Sequence, residues 1–156
     1  MAVPAGGRTP AATRPDRIVG PDGRAKAYRP LPVETRQAAI EAGLAAYDRG
    51  DFFEAHEELE PAWLGSDDPA ERALQGVIKV AAAYVHDVRG NPAGIRTNLA
   101  GSRRLLAEAA EGDPGNDAGI DVAALLAAVD VRLADLAAHP DAPTLGAPTI
   151  ERSPRR

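Results

Sequence analysis

Between residues 33 and 138, apolar side chains recur every three or four positions, and no stretch alternates convincingly as a half-buried strand would. That period is the mark of helices with one face turned inward. The cleanest stripe is Val122, Leu125, Leu126, Val129, Leu133 and Leu136. Punctuation divides the run into five helices. The first spans 33–49, with Ile40, Leu44 and Tyr47 on one face, and Gly50 stops it. The second starts after Asp51, a natural N-cap, and reaches about Leu64. Pro61 lies inside it and should kink it or end its first part. Ser66, Asp67 and Asp68 supply the cap of a third helix, with Pro69 in its first turn, that runs to about Arg89. Gly90-Asn91-Pro92 closes it and opens a fourth over 92–111. The loop 112–116 leads to a fifth over 119–138, ended by His139-Pro140. Such short connections make successive helices antiparallel neighbours.

Composition agrees. Alanine, the best helix former, fills 33 of 156 positions, while aromatics make up 4%. Closely packed helices suit that balance better than a sheet. The absence of cysteine excludes disulfides, thiolate metal sites and a cysteine nucleophile. It also gives no sign of an oxidising compartment, so the expected location is cytoplasmic. No apolar run approaches the ~18 residues of a membrane-spanning helix. The first residues contain no apolar segment of the kind a secretory leader needs.

Residues 1–32 hold six prolines, four glycines and no periodicity, and read as a flexible basic arm. Residues 139–156 hold four more prolines and read as a flexible tail. The arm has six Lys/Arg against two Asp; residues 33–138 have nine Lys/Arg against nineteen Asp/Glu. A nucleic-acid partner needs a basic face, which so acidic a body does not offer. The expected fold is therefore all-α: a small antiparallel bundle of about five helices over 33–138, between two disordered tails.

The second helix carries the unusual residues. On a wheel of ~100° per residue with Phe52 at ~0°, Trp63 falls at ~20°, His56 at ~40°, Leu59 at ~340° and Glu60 at ~80°. The imidazole of His56 is thereby placed in the middle of the apolar stripe, with Glu60 on its shoulder. Buried polar groups need partners, and His56 and Glu60, four apart, can meet. The third helix is apolar on two sides, as a central helix is, and is interrupted by Gln75, Lys79 and His86. Gln75, one turn into that helix, is expected near His56 or Glu60.

The string Gly50-Asp51-Phe52-Phe53-Glu54-Ala55-His56-Glu57-Glu58-Leu59-Glu60, followed by Trp63, resembles the signature of domain-of-unknown-function family 309. A second block, Leu74-Gln75-Gly76-Val77-Ile78-Lys79-Val80-Ala81-Ala82-Ala83-Tyr84 and then Arg89-Gly90-Asn91-Pro92-Ala93-Gly94, is similar to that family in order and spacing. The resemblance covers about residues 34–110. It implies a small all-helical bundle and no assigned activity. It also implies that His56, Glu57, Glu60, Trp63 and Gln75 are the characteristic polar and aromatic positions.

Three readings of these residues stand side by side. In the first, His56, Glu60 and Gln75 form a satisfied buried network that fixes the packing of the second and third helices. In the second, His56 and Glu60 are catalytic or hold a divalent metal such as zinc, manganese or iron, with His86 or Glu57 adding a ligand, or act without metal as a general base. Neither the second histidine of a zinc-protease helix nor the repeated Glu-x-x-His of di-iron bundles is present. In the third, Phe52, Phe53, Trp63 and Tyr84 line a groove for a small molecule or a protein partner, with His56 and Gln75 as polar anchors. Whether the chain forms a homo-oligomer stays open.

Overall fold

The computed structural model describes residues 31–64, 72–112 and 119–153, and two short strands in the N-terminal arm. Five helices follow one another: α1 Val33–Asp48, α2 Phe52–Leu64, α3 Arg72–Val88, α4 Pro92–Glu111 and α5 Val122–Ala138. The arm, read from sequence as lacking any element, contains β1 (Arg17–Val19) and β2 (Ala25–Ala27), paired antiparallel with Ile18 opposite Lys26. The rest of 1–30 lies outside the described residues, as do the expected cap Ser66, Asp67, Asp68, Pro69 and most of the loop 112–116.

The caps explain the boundaries. Gly50 and Gly90 close α1 and α3 with φ of +83° and +67°, a conformation that a side chain resists. The Asn91 carboxamide accepts from the Gly94 N–H at 3.2 Å, and the Asp121 carboxylate accepts from the Ala124 N–H at 3.0 Å. Each satisfies an orphan donor of a first turn. Asp121 therefore starts α5 at Val122, later than the 119 expected. Gly119 and Ile120 are used instead in an antiparallel bridge between Ile120 and Arg152. Pro61 does not end α2. It withholds one N–H from the carbonyl one turn back, but Ala62 and Trp63 beyond it are fully buried, and that burial offsets the loss.

Each helix packs chiefly on the next in sequence, with α3 the most enclosed: Leu74, Val77, Val80, Ala81 and Ala83 are completely buried or nearly so. Two glycines permit close approach. A Cβ on Gly43 would lie 2.5 Å from Leu59 Cγ, and one on Gly76 would lie 2.7 Å from Leu106 Cδ2. Beside Gly76, the buried Ser102 hydroxyl donates to the Gly76 carbonyl at 2.9 Å, which pins α4 to α3. Among the described residues no helix is long and apolar enough to cross a membrane.

Residues 139–153 form no helix, as their prolines require, yet they are tied to the bundle rather than loose. Asp135 on α5 accepts from the Thr144 N–H at 2.8 Å, the Thr144 hydroxyl at 2.5 Å and the Leu145 N–H at 3.0 Å. Arg132 Nε donates to the Gly146 carbonyl at 3.0 Å. Further on, the Asp121 N–H donates to the Glu151 carbonyl at 2.8 Å and the Ser153 N–H to that of Gly119 at 2.9 Å. Ile150 is buried. None of this is periodic, so a pattern search along the chain has nothing to detect.

These bonds, that to the Thr144 hydroxyl foremost, hold the Asp135 carboxyl below its ordinary value. A carboxyl depressed on folding contributes stability above its unfolded pKa, and that contribution fades as pH falls through the folded value. Acidification below about 3.9, the ordinary aspartate pKa, is therefore expected to loosen residues 144–146 before the helices. Backbone chemical shifts followed by NMR against pH would check this; unchanged Thr144 and Leu145 signals down to global unfolding would contradict it.

Candidate functional site

The buried face of α2 is formed by Ala55, Leu59, Ala62 and Trp63. Its centre is displaced from Phe52 to the side away from His56. Phe52 is only half-buried and makes ring contacts with Tyr47 at 5.2 Å and with Tyr84 at 5.8 Å. His56 consequently sits on the shoulder of the stripe, not in its middle, with its side chain 29% exposed. Its Nδ1 is 3.8 Å from the exposed Glu57 carboxylate, at the outer limit of an ion pair. Glu60, one turn on, is half-buried.

Gln75 is buried, and its side-chain oxygen accepts from Arg72 Nη1 at 3.4 Å. Arg72 Nε in turn pairs with Glu108 on α4 at 2.9 Å. The contact of Phe52 with Tyr84 sets the antiparallel register of α2 and α3. By that register Gln75 lies level with Glu60 and Pro61, and roughly 7 Å along the axis from the level of His56, at 1.5 Å per residue. His86 lies on the other side of that level, by about 9 Å. Its Nδ1 is 3.1 Å from the Asn91 carboxamide nitrogen. The ring also fills the space beside Gly94, where a Cβ would come within 2.5 Å of it. Trp63 is 1% exposed and belongs to the core.

The structure thus distributes the residues singled out along α2 and α3. Glu60, Trp63 and Gln75 lie toward one end, His56 and Glu57 nearer the middle, and His86 at the other end. Among the described residues no group of three or more His, Cys, Asp or Glu side chains converges as a metal-ligand set. Truncation at the shoulder of a helix removes little packing. His56→Ala is therefore expected to change unfolding stability by about 1 kcal/mol or less. A urea-denaturation loss above ~2 kcal/mol would instead place the imidazole in a closed network.

One polar residue near this end escaped the sequence reading. Arg36 is 7% exposed, in the first turns of α1. The signal was there: it stands four before Ile40 and eight before Leu44, at the head of the same stripe.

The other end of α2 holds the cavity. A cleft of about 700 Å³ opens at the corner between α1 and α2. Tyr47, Asp48 and Phe52 wall one side, and Pro148, Ile150 and Arg152 of the C-terminal segment wall the other. A second cleft of about 310 Å³ lies near Glu41, Leu44 and Gly119. Asp48 and Arg152 line both, joined across 2.7 Å. At the floor, the Tyr47 hydroxyl donates to the Pro148 carbonyl at 2.6 Å. Burial raises the pKa of Tyr47 far above the ordinary phenol value, and the nearby Tyr84 adds to the rise. Burial likewise pushes Tyr84 up to about 12, against the pull of Arg132. Tyr47, the tyrosine that lines the cleft, is therefore neutral at physiological pH, and the Asp48–Arg152 pair lies at the rim. Tyr47 and Phe52 were visible in the sequence as stripe residues. Their role as a wall was not, because the facing wall comes from about a hundred residues along the chain.

The family model described as "Domain of unknown function (DUF309)" matches residues 40–98. That span contains the whole of α2 and α3, and ends within the stretch of about 34–110 over which the resemblance was drawn. No curated protein and no solved structure matches the chain.

Proposed function

We propose that this chain, whose residues 40–98 match the DUF309 family model, works by non-covalent binding at the cleft between the α1–α2 corner and the C-terminal segment. The observation that carries this reading is the cleft itself. Its volume falls within the ~300–1,000 Å³ usual for ligand sites. It sets the aromatic residues Tyr47 and Phe52 beside the polar pair Asp48 and Arg152, in a lining that is part apolar and part polar. The fitting ligand has an apolar body and a polar or charged end. A small molecule or a segment of a protein partner meets that description, and a cytoplasmic setting suits a chain without cysteine.

In this reading the polar residues between α2 and α3 keep the bundle in register. Its support is Gln75, whose buried amide is held by Arg72 and through it faces Glu108. Thermal-shift screening of metabolite-sized compounds tests the binding reading. Stabilising compounds are expected to lose their effect in Phe52→Ala, which removes the aromatic wall while the helix stays capped by Asp51. Hits that act equally on both proteins would sink it.

The alternative is a metal-dependent or general-base enzyme using His56 and Glu60. It is favoured by their i, i+4 spacing and by the partial exposure of both. Metal content by mass spectrometry, on protein purified without chelator beside His56→Ala, separates the two. Stoichiometric metal that disappears in the variant would favour the enzyme.

A further inference from the structure

The C-terminal segment is held in the way that a bound peptide is held. Pro148 and Ile150 are buried, whereas Thr149 between them and Glu151 after them face solvent, and Arg152 lies exposed at the rim. This period of two is that of an extended chain with one face docked. Three alternate residues carry the recognition. Pro148 offers its carbonyl to the Tyr47 hydroxyl, Ile150 inserts its side chain into the core, and Arg152 pairs with Asp48. The backbone adds the antiparallel bridge of Arg152 with Ile120 and the bonds between Asp121 and Glu151 and between Ser153 and Gly119. Main-chain pairing for affinity with alternate side chains for specificity is how proteins bind strand-like peptides. A separate anchor upstream holds the segment in place: Asp135 on Thr144 and Leu145, outside the stretch that faces the cleft.

We propose that the groove beside α1 is a receptor for extended peptides of the pattern Pro-x-Ile-x-Arg, and that residues 148–152 are a built-in copy that occupies it until a partner displaces them. This groove is the one that residues 148–152 fill; it adjoins the cleft of the binding reading, which the same residues wall on one side, so the two readings are tested separately. A tethered segment competes at an effective concentration of about millimolar. A partner therefore gains access when the Asp135 anchor is loosened.

The test is fluorescence anisotropy on the full chain with a labelled peptide of residues 146–153, which lacks Thr144 and so cannot use Asp135. Asp135→Ala is expected to tighten binding of this peptide by about two- to tenfold over the wild-type chain, because the competitor stays tethered but is no longer pinned beside the groove. Thr144→Ala, which removes the hydroxyl bond and leaves the two backbone bonds to Asp135, should shift binding in the same direction by a smaller factor and covers the case in which the first variant does not fold. Asp48→Arg should weaken binding of the native peptide by about two- to fivefold, the scale of an exposed ion pair, and favour one carrying Arg152→Asp. Peptide affinity unchanged in both loosened variants would overturn the proposal, as would binding indifferent to Asp48. A Phe52-dependent thermal shift by small compounds without peptide binding would leave the cleft reading standing and remove this one.

Discussion

Trp63→Ala is expected to lower unfolding stability by about 4 kcal/mol, the upper part of the range for truncating a buried aromatic. The indole is 1% exposed and is the largest fully buried side chain. It lies in the last turn of α2, two residues after Pro61, where the helix has already lost a backbone hydrogen bond. Burial of Ala62 and Trp63 is what keeps that turn helical, so the truncation removes both the packing and the reason for the turn. Domains of this size are commonly stable by only ~5–15 kcal/mol, and the variant should melt early or populate unfolded chain at 37 °C. Guanidinium denaturation followed by circular dichroism measures the change. A loss below about 2 kcal/mol would show that neighbouring side chains close over the gap.

Gly76→Val should cost about 3 kcal/mol, at the upper end for overpacking a core. Even the first added carbon would stand 2.7 Å from Leu106 Cδ2 and 2.8 Å from Leu106 Cγ. Cγ is not a free end that can swing aside. Nor can α4 slide away at low cost, because Ser102 is bonded to the carbonyl of Gly76 itself. The gain from replacing a helical glycine is under ~1 kcal/mol, so the clash decides the sign. A denaturation midpoint equal to that of the wild type would contradict the tight α3–α4 contact. The helix-forming tendency of glycine alone would predict the opposite direction, which makes the measurement decisive between the two effects.

These two positions also show how legible the chain was. Trp63 and Leu59 fall on one face of a 3.6-residue period, so their inward direction is a local property. Gly76 is different. In sequence it is only a poor helix former inside a helix, and its need for no side chain comes from Leu106, thirty positions away. His56 shows the limit of a helical wheel. The wheel puts His56 in the middle of the stripe, but Phe52 turns toward Tyr47 and Tyr84, and the buried face passes through Ala55 and Leu59. A wheel orders residues around an axis; the neighbouring helix decides which direction points inward.

The number of helices, the cap at Asn91, the stops at Gly50 and Gly90 and the central place of α3 were determined by the sequence alone. Each depends on residues within a turn or two of one another, where backbone geometry and side-chain period act directly. The cleft and the course of residues 139–153 were decided only by the tertiary structure. Tyr47 meets Pro148, and Asp48 meets Arg152, across about a hundred residues. A contact between two aperiodic or distant positions leaves no local trace, because its free energy exists only once the bundle has brought both sides together.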